Sequence, residues 1–473
     1  MIFHSFDFLV FFALVLVLYW RLPHRSQNLF LIGSSWFFYG YVHWWFLAPL
    51  AFTAGMDYLV ARGIERWPKH KTPLLCLSLC ASLGLLGFFK YYNFFADNFS
   101  VAFRSLGLEV SDLTLQIFLP VGISFYTFQS IGYVVDVHRG KARAVRSFSD
   151  YLLYSAFFPQ LVAGPIERST HLLPQIQQAR HLDWDGARGA VLLILWGFFK
   201  KLVIADNVAV TANRVFALEQ PAFPVLWAGV FAFAVQIFAD FSAYTDIARG
   251  SARLLGFDLM ENFRHPYLAR SPQEFWQRWH ISLSTWFRDY VYIPLGGSRA
   301  GPGRVVFNLL FTFLLSGLWH GASWNYVLWG LWYGVLVVIY RAASAVVPKR
   351  VSESRWLAFP RWLLMFTLIL IGWLLFRETQ TAQLVRYLTL DPFAAKGSDW
   401  TVGGYLFNSV LLISLPIWIH HLAGCLPAAT WPRIETARPL PAYVAQVIAG
   451  VAMFTGILVL RSRVTSDFIY FQF

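Results

Sequence analysis

Charged residues are scarce in this chain of 473 residues. Asp, Glu, Lys and Arg together make up 13% of it, whereas hydrophobic residues make up 57%. Soluble domains carry roughly 25% charged residues, and a soluble protein with so few would expose large apolar patches. The scarcity therefore excludes an ordinary soluble fold and indicates that lipid surrounds much of the chain.

Cysteine is rare too, and several catalytic motifs are missing. Cys76, Cys80 and Cys425 lie in apolar runs and are expected to be buried small hydrophobic residues. There is no H-E-x-x-H and no paired C-x-x-C, so no metal site is predicted. The absence of G-x-x-x-x-G-K-[ST], G-x-G-x-x-G and G-x-S-x-G excludes a P-loop ATPase, a Rossmann unit and a nucleophile elbow. No bound cofactor is therefore expected.

Long apolar runs dominate what is present. A membrane crossing needs about 20 apolar residues, because the hydrocarbon core is about 30 Å thick. Twelve runs are candidates: 6–20, 28–42, 44–61, 73–92, 114–137, 187–205, 224–248, 305–320, 324–341, 357–376, 403–424 and 441–460. A shorter run, 150–163, ends at Gly164-Pro165 and is expected to be re-entrant. The sequence predicts an all-α polytopic membrane protein of roughly 10–12 transmembrane helices plus re-entrant or interfacial helices, forming one domain over residues 1–473.

The net charge of +13 does not indicate nucleic-acid binding. The basic residues are spread over short loops between apolar runs, which is the pattern of cytoplasmic loops in membrane proteins. Lys200 and Lys201 depart from that pattern, because they lie near the outer end of their predicted helix. They are expected to face a water-filled cavity, or to mark a helix that is short or broken.

The charge of each loop predicts the orientation of the chain. Basic residues follow the first, third and fifth runs, whereas the loop after the fourth run contains Asp97, Glu109 and Asp112. By the positive-inside rule, both termini are expected outside the cytoplasm, and the long polar loop 249–304 is expected inside it.

His320 is the first candidate for chemistry. The apolar run from Val305 reaches it after 16 residues, about 24 Å as a helix, so His320 is expected beyond the midplane but still inside the bilayer. Gly317 and Gly321 flank it and are expected to leave room for a ligand. A desolvated histidine favours the neutral imidazole that a general base needs. A histidine hydrogen-bonded between helices fits the same context.

His280 is the second candidate. Residues 276–290 have helical periodicity, with Trp276, Trp279 and His280 on one apolar stripe. The pattern predicts one amphipathic helix that lies in the membrane surface or dips into the protein. The alternative function of His280 is an interfacial anchor among aromatic residues.

A third group lies near the end of the seventh run. Gln236, Asp240 and Tyr244 are four residues apart and share one helix face. Ionisable residues at membrane depth are costly, so Asp240 is expected to face the bundle interior. It either orients a catalytic histidine or pins helices together, and the structural role is the favoured interpretation.

Several motifs resemble those of the membrane-bound O-acyltransferases, in particular the membrane subunits of bacterial alginate O-acetyltransferases. The most specific are R-W-H-I-S-L-S-T-W over 278–286 and G-L-W-H-G over 317–321. The other similar stretches cover most of the chain: 119–128, 133–140, 163–165, 240–246, 274–277, 288–297 and 468–473. The resemblance implies a catalytic histidine at His320, a second family histidine at His280 and a reaction centre inside a helical core.

The resemblance also implies the reaction and its surroundings. Acetyl groups would pass from a cytoplasmic donor, acetyl-CoA, through the bacterial inner membrane to periplasmic acetyl-transfer proteins. Arginines of 249–304 suit the CoA phosphates, because arginine binds phosphate oxygens bidentately. Trp324 is a further candidate oxyanion donor. The predicted substrate-binding residues are Arg278, Trp279, Ser284, Arg288, Arg299, Ser316, Trp319, Asn325, Asp240 and Tyr244.

The acceptor stays open at the level of sequence. Alginate or a similar exopolysaccharide is the leading expectation, and peptidoglycan, cellulose and teichoic acid are alternatives acylated by the same mechanism. A polysaccharide-precursor transporter with a proton relay through His320 and Asp240 is the rival from another class. Inverted repeats would favour it, but none is evident. A non-catalytic scaffold of an export complex is a third interpretation.

Overall fold

A computed structural model describes residues 1–108, 113–348, 354–424 and 440–471. The described residues form helices and connecting loops without a β-strand. They divide into two compact units. Unit 1 is Met1–Asp183 with Ser251–Met260, and unit 2 is Trp184–Gly250 with Glu261–Phe473. The prediction of a single domain stays a prediction, and Glu109, Asp112 and Cys425 lie outside the described residues.

The first nine helices belong to unit 1. In order they are α1 Phe6–Tyr19, α2 His24–Gly40, α3 Leu47–Arg66, α4 Lys71–Leu86, α5 Tyr92–Ser105, α6 Ile123–His138, α7 Phe148–Ala156, α8 Phe158–Leu161 and α9 Ser169–Gln177. Helix α1 begins at Ser5, whose hydroxyl accepts a hydrogen bond from the Phe8 N–H. Such a cap satisfies one of the backbone donors that the first turn leaves open.

The remaining helices begin at Trp184. They are α10 Trp184–Phe199, α11 Asp206–Phe216, α12 Phe223–Leu254, α13 Pro272–Arg278, α14 Ile281–Phe287, α15 Pro302–His320, α16 Trp324–Val346, α17 Ala358–Arg377, α18 Thr381–Leu388, α19 Gly397–Ala423 and α20 Leu440–Leu460. A π-helical turn, Lys200–Ala205, joins α10 to α11.

Seven of the described helices are long and apolar enough to cross a membrane, judged by length and composition. They are Pro68–Ser105, Phe223–Leu254, Pro302–His320, Trp324–Val346, Arg355–Arg377, Gly397–Ala423 and Tyr443–Leu460. Each overlaps one of the twelve predicted runs, and their number is smaller than the 10–12 transmembrane helices predicted. Of the other five runs, 6–20 forms an apolar helix of 14 residues. The chain is a multi-pass helical membrane protein, as the composition predicts.

Two boundaries differ from the prediction. The run 114–137 becomes helical only at Ile123, because Gly122 adopts a left-handed backbone (φ 79°) beside the Leu161 carbonyl, where a Cβ would clash. The run 73–92 is part of one helix over Pro68–Ser105, so Asp97 lies in a helix and not in an outer loop. The short run 150–163 forms α7 and α8, as expected for a segment too short to cross.

The cysteines described by the structure are also placed differently from the prediction. Cys76 and Cys80 are exposed on α4 and are not buried in the protein interior. Their helix is apolar on all sides, so lipid supplies the apolar surroundings that the sequence pattern indicated.

Glycines pack α15 tightly against α16. A Cβ on Gly317 would clash with the Tyr326 carbonyl, and a Cβ on Gly330 would clash with the Phe313 carbonyl. Such close approach of small residues is a common way for helices to associate in lipid. A Cβ on Gly321 would strike the Tyr326 ring. The expectation that Gly317 and Gly321 leave room for a ligand is therefore wrong, because α16 fills that space.

Replacing Gly330 by Ala is expected to lower the free energy of unfolding by about 1–3 kcal/mol, because the added methyl overpacks the α15–α16 contact. The matched control is Gly404→Ala on α19, where a Cβ meets no atom within 4 Å. That control should change the free energy by less than about 1 kcal/mol. SDS titration of the purified protein in mixed micelles measures both. Equal losses in the two variants would contradict the packing role of Gly330.

Candidate active site

His320 is the last residue of α15 and is buried, with 3% of its surface exposed. Its ring centroid lies 4.8 Å from that of Trp329 and 5.4 Å from that of Phe376. Trp329 comes from α16 and Phe376 from the end of α17. The three helices thus enclose the imidazole in aromatic side chains that exclude water.

His280 lies between two short helices, not on the single helix predicted for 276–290. Helix α13 ends at Arg278, Trp279 is extended, and α14 begins at Ile281. Asn262 causes the break: its carbonyl accepts a hydrogen bond from the Ile281 N–H at 3.0 Å and its side-chain oxygen accepts one from the Ser282 N–H at 3.2 Å. This tertiary contact caps α14 and overrides the local periodicity.

The break gives His280 an unusual backbone. Its φ of 43° and ψ of 55° lie in the left-handed region, which costs a residue other than glycine about 1–3 kcal/mol and is found mostly at functional sites. The side chain is 1% exposed, and burial lowers the pKa of His280 to about 3. The imidazole is therefore neutral at pH 7.

Trp319 joins the two histidines. Its ring centroid lies 5.8 Å from that of His280 and 5.0 Å from that of His320. His280 also packs edge-on against Phe241 of α12, at 4.7 Å. The tertiary structure thus brings together His280, His320 and Trp319, three of the predicted site residues, in one buried aromatic cluster.

Tyr470 completes this cluster and was missed by the sequence reasoning. Its ring centroid is 5.7 Å from that of His320 and 6.3 Å from that of His280. It belongs to the C-terminal segment, which we define as residues 466–470. In the sequence, the family resemblance over 468–473 assigns no role to Tyr470. The available signal in the sequence was the aromatic stretch 468–473, which follows the polar stretch 461–467.

Asp240 and Tyr244 hold the C-terminal segment against α12. The Ile469 N–H donates a hydrogen bond to the Asp240 carboxylate at 2.7 Å. The Phe468 ring stacks on Tyr244 with centroids 4.0 Å apart. These two predicted substrate-binding residues therefore contact the protein's own C-terminal segment.

Lys201 lies at the centre of a buried ionic network. Its ammonium is 2.9 Å from Asp206 and 2.9 Å from Asp240, and none of the three side chains is more than 2% exposed. It also donates a hydrogen bond to the Ser466 carbonyl at 2.7 Å. The π-helical turn that contains Lys201 is the irregularity that its position in the sequence suggested. The network ties α10–α11, α12 and the C-terminal segment together.

Lys200, the neighbouring residue, makes a separate contact. Its ammonium is 2.7 Å from the Asp246 carboxylate and donates to the Ser242 hydroxyl at 2.8 Å. Both lysines are thus buried in polar contacts within the protein, which accounts for their departure from the charge pattern of the loops.

Two other predicted site residues form hydrogen bonds with backbone carbonyls of the protein. Asn325 donates hydrogen bonds to the Leu375 and Phe376 carbonyls, at 3.4 and 3.0 Å, and so joins α16 to α17. The Ser284 hydroxyl donates to the Trp279 carbonyl at 3.1 Å.

Trp279 is buried, and its ring centroid lies 4.7 Å from that of Trp373. Ser316 is buried one turn before His320 on α15. Trp324 is 56% exposed.

The three predicted phosphate-binding arginines are closer to solvent than the histidines. Arg288 pairs with Asp289 at 2.8 Å, and 59% of its side chain is exposed. Arg299 is exposed as well. Arg278 pairs with Glu274 at 2.6 Å and is partly exposed. They remain candidates for binding a charged group outside the apolar interior.

Replacing Lys201 by Met is expected to cost about 3–5 kcal/mol of unfolding free energy, because two buried carboxylates lose their cation. The control is Arg188→Met, which removes an exposed pair with Asp185 and should cost less than about 1 kcal/mol. SDS titration in mixed micelles compares the two. A Lys201→Met variant as stable as the control would rule out the network as a structural anchor.

Comparison with known proteins identifies the family. The model of the MBOAT, membrane-bound O-acyltransferase family matches residues 141–377, a range that contains both histidines.

Three similar proteins cover most of the chain. A protein of Azotobacter vinelandii named "Probable alginate O-acetylase AlgI" is 39% identical over 93% of this chain and 87% of its own length. A protein of the same name from Pseudomonas putida is 41% identical over 80% of this chain and 77% of its own. The "Peptidoglycan O-acetyltransferase" of Helicobacter pylori is 34% identical over 76% and 73% of the two chains. This chain belongs to the membrane-bound O-acyltransferase family and is a multi-pass membrane acyltransferase.

Proposed function

We propose that this protein is an O-acetyltransferase that passes acetyl groups from a cytoplasmic thioester across the membrane, for O-acetylation of an extracytoplasmic polysaccharide such as alginate. The observation that carries the proposal is the buried pair of histidines, His280 and His320, packed on the shared ring of Trp319. Similarity to two proteins named as probable alginate O-acetylases supports the choice of acetyl group and polymer.

His320 is proposed as the general base. A neutral imidazole nitrogen takes the proton of the acceptor hydroxyl while that oxygen attacks the thioester carbonyl carbon. The C–O bond forms, the tetrahedral intermediate collapses with cleavage of the C–S bond, and the imidazolium returns the proton to the thiolate. Such general acid–base assistance contributes typically about 10²–10⁴-fold. The enclosing rings of Trp329 and Phe376 keep out water that would hydrolyse the thioester.

His280 is proposed to stabilise the oxyanion of the intermediate. A neutral imidazole has one N–H donor, and a donor held rigidly in an apolar site stabilises developing charge better than water does. The strained backbone of His280 and the contacts of its ring with Phe241 and Trp319 preorganise it. Ser316 and the Trp319 indole are further proposed donors.

Acetyl-CoA is the proposed donor, and Arg278, Arg288 and Arg299 are proposed to bind its phosphates. Their exposure suits this role, because phosphates stay hydrated while the thioester reaches the apolar interior. Periplasmic acetyl-transfer proteins are the proposed partners, and the bacterial inner membrane is the proposed location, with both termini periplasmic. Peptidoglycan is the second acceptor to test, since one relative is named as a peptidoglycan O-acetyltransferase.

Replacing His320 by Ala should lower the rate of acetyl transfer by at least about 10²-fold, because the general base is lost. Purified protein in proteoliposomes, with labelled acetyl-CoA outside and alginate or peptidoglycan oligosaccharides inside, provides the measurement. Label in the lumenal oligosaccharide reports transfer across the membrane and identifies the acceptor.

The control for that experiment is His181→Ala, a substitution of an exposed histidine in unit 1. It should transfer acetyl groups at the wild-type rate. Wild-type rates in the His320→Ala variant would sink the assignment of His320. Transport of the intact oligosaccharide without any acetylation would instead favour the transporter.

The pKa of His280, lowered by burial to about 3, also predicts a pH dependence of stability. The unfolded chain binds a proton near pH 6.5 whereas the folded protein does not, so this contribution to stability is complete above about pH 6.5 and is lost as the pH falls towards about 3. SDS titrations at about pH 7.5 and about pH 5 should show a smaller loss of unfolding free energy in His280→Gln than in wild type. Equal losses would show that His280 is not held neutral.

A further inference from the structure

Three histidines that are distant in sequence meet in unit 2, apart from the catalytic pair. His265 lies in the segment between α12 and α13, and His420 and His421 lie in the last turn of α19. One ring nitrogen of each lies within 4.8 Å of those of the other two. The ring centroid of His265 is 5.0 Å from that of His420 and 5.3 Å from that of His421.

His421 is the most buried of the three. It is 1% exposed, and neither ring nitrogen forms a hydrogen bond of normal geometry within the part of the chain that the structure describes. The Ile417 carbonyl faces the ring from one turn earlier. A buried polar group without a good partner is costly. Imidazoles that bind metals commonly direct one ring N–H to a backbone carbonyl and use the other nitrogen as the ligand.

The local structure directs His265 towards α19. Its backbone is left-handed, with φ 51° and ψ 53°, a conformation that costs about 1–3 kcal/mol outside glycine. Gly424, directly after α19, has no Cβ, and a Cβ there would clash with Nε2 of His265. Both features bring the imidazole of His265 against the end of the helix that carries the other two.

We propose that His265, His420 and His421 bind a divalent transition-metal ion of the Zn²⁺ class, with water in the fourth coordination position. Zn–N bonds of about 2.0–2.1 Å in a tetrahedral site place ligand nitrogens about 3.4 Å apart, so small side-chain rotations close the observed spacing. Imidazole suits Zn²⁺, Ni²⁺ and Cu²⁺.

The electrostatic surroundings tolerate a cation. Two arginines act on His265, and each is paired with a carboxylate: Arg264 with Glu261 at 2.8 Å and Arg278 with Glu274 at 2.6 Å. The three ligands lie at a helix C-terminus, whose free carbonyls favour positive charge. The Trp196 ring packs beside His420, and the Lys200 ammonium lies over that ring. Lys200 is paired with Asp246 at 2.7 Å. Its charge is therefore largely compensated.

A metal ion at this site would hold in place the segment that packs beside His280. His265 is three residues after Asn262, which caps α14 directly after His280. The Arg264 N–H donates to the Arg278 carbonyl at 2.9 Å, so the two segments are paired alongside each other. A bound ion would fix this pairing and the strained backbone of His280. Only this consequence for catalysis rests on the proposed function; metal binding does not.

The test measures metal directly. The protein is purified in detergent without a polyhistidine tag, stripped with a chelator, and reloaded with Zn²⁺ or Co²⁺. We expect about one ion per chain by elemental analysis, and visible absorption bands of four-coordinate Co²⁺. His420→Ala is the leading variant, because His420 is exposed and its loss should leave the fold intact. It should lower the metal content to near zero, and His265→Ala should do the same.

His181→Ala is the matched control and should keep the wild-type metal content. Size-exclusion profiles like that of wild type establish that each variant is folded. Absence of metal from reloaded wild type, or full metal content in folded His420→Ala and His265→Ala, would overturn the proposal. Failure of acetyl transfer in wild type with one bound ion would count against the proposed function alone.

Discussion

One of the buried lysines, Lys201, holds the surroundings of the histidine pair together. Its ammonium contacts Asp206, Asp240 and the Ser466 carbonyl with little access to solvent. Removing these charges from water is expensive, and the arrangement persists only because each group finds partners. Asp240 also binds the Ile469 backbone. Through these bonds the C-terminal segment is kept where Tyr470 contacts both histidines.

His280 has a strained backbone, and aromatic side chains shield His280 and His320 from water. His280 keeps a left-handed backbone because Asn262 caps the following helix, and His320 ends α15 because α16 begins at Trp324 after a short turn. Glycine packing draws α15 and α16 together. The result is two buried imidazoles in an apolar cluster, an arrangement that suits proton transfer from a hydroxyl and stabilisation of an oxyanion.

Structure that depends on one segment alone was predicted well from the sequence. Structure that depends on contacts with other segments was not. The long runs that became α12, α15 and α16 are apolar enough that burial or lipid requires a helix. The stripe over 276–290 also satisfies helical periodicity, yet the chain breaks at His280 because a distant loop supplies better caps. Gly317 was expected beside a ligand, but only the position of α16 shows that the glycine serves packing.

Composition and the spacing of apolar runs were sufficient for the class of protein and for the place of His320 at a helix end, because these depend on how each segment interacts with lipid. They were not sufficient for the number of spans, since seven candidate spans lie in the described residues where 10–12 were predicted. Local motifs were sufficient for the family. Which side chains meet was decided only by the tertiary fold. The contacts of Trp319 with His280, of Tyr470 with His320, and of His265 with His420 and His421 join residues distant in sequence, and no local periodicity records such contacts.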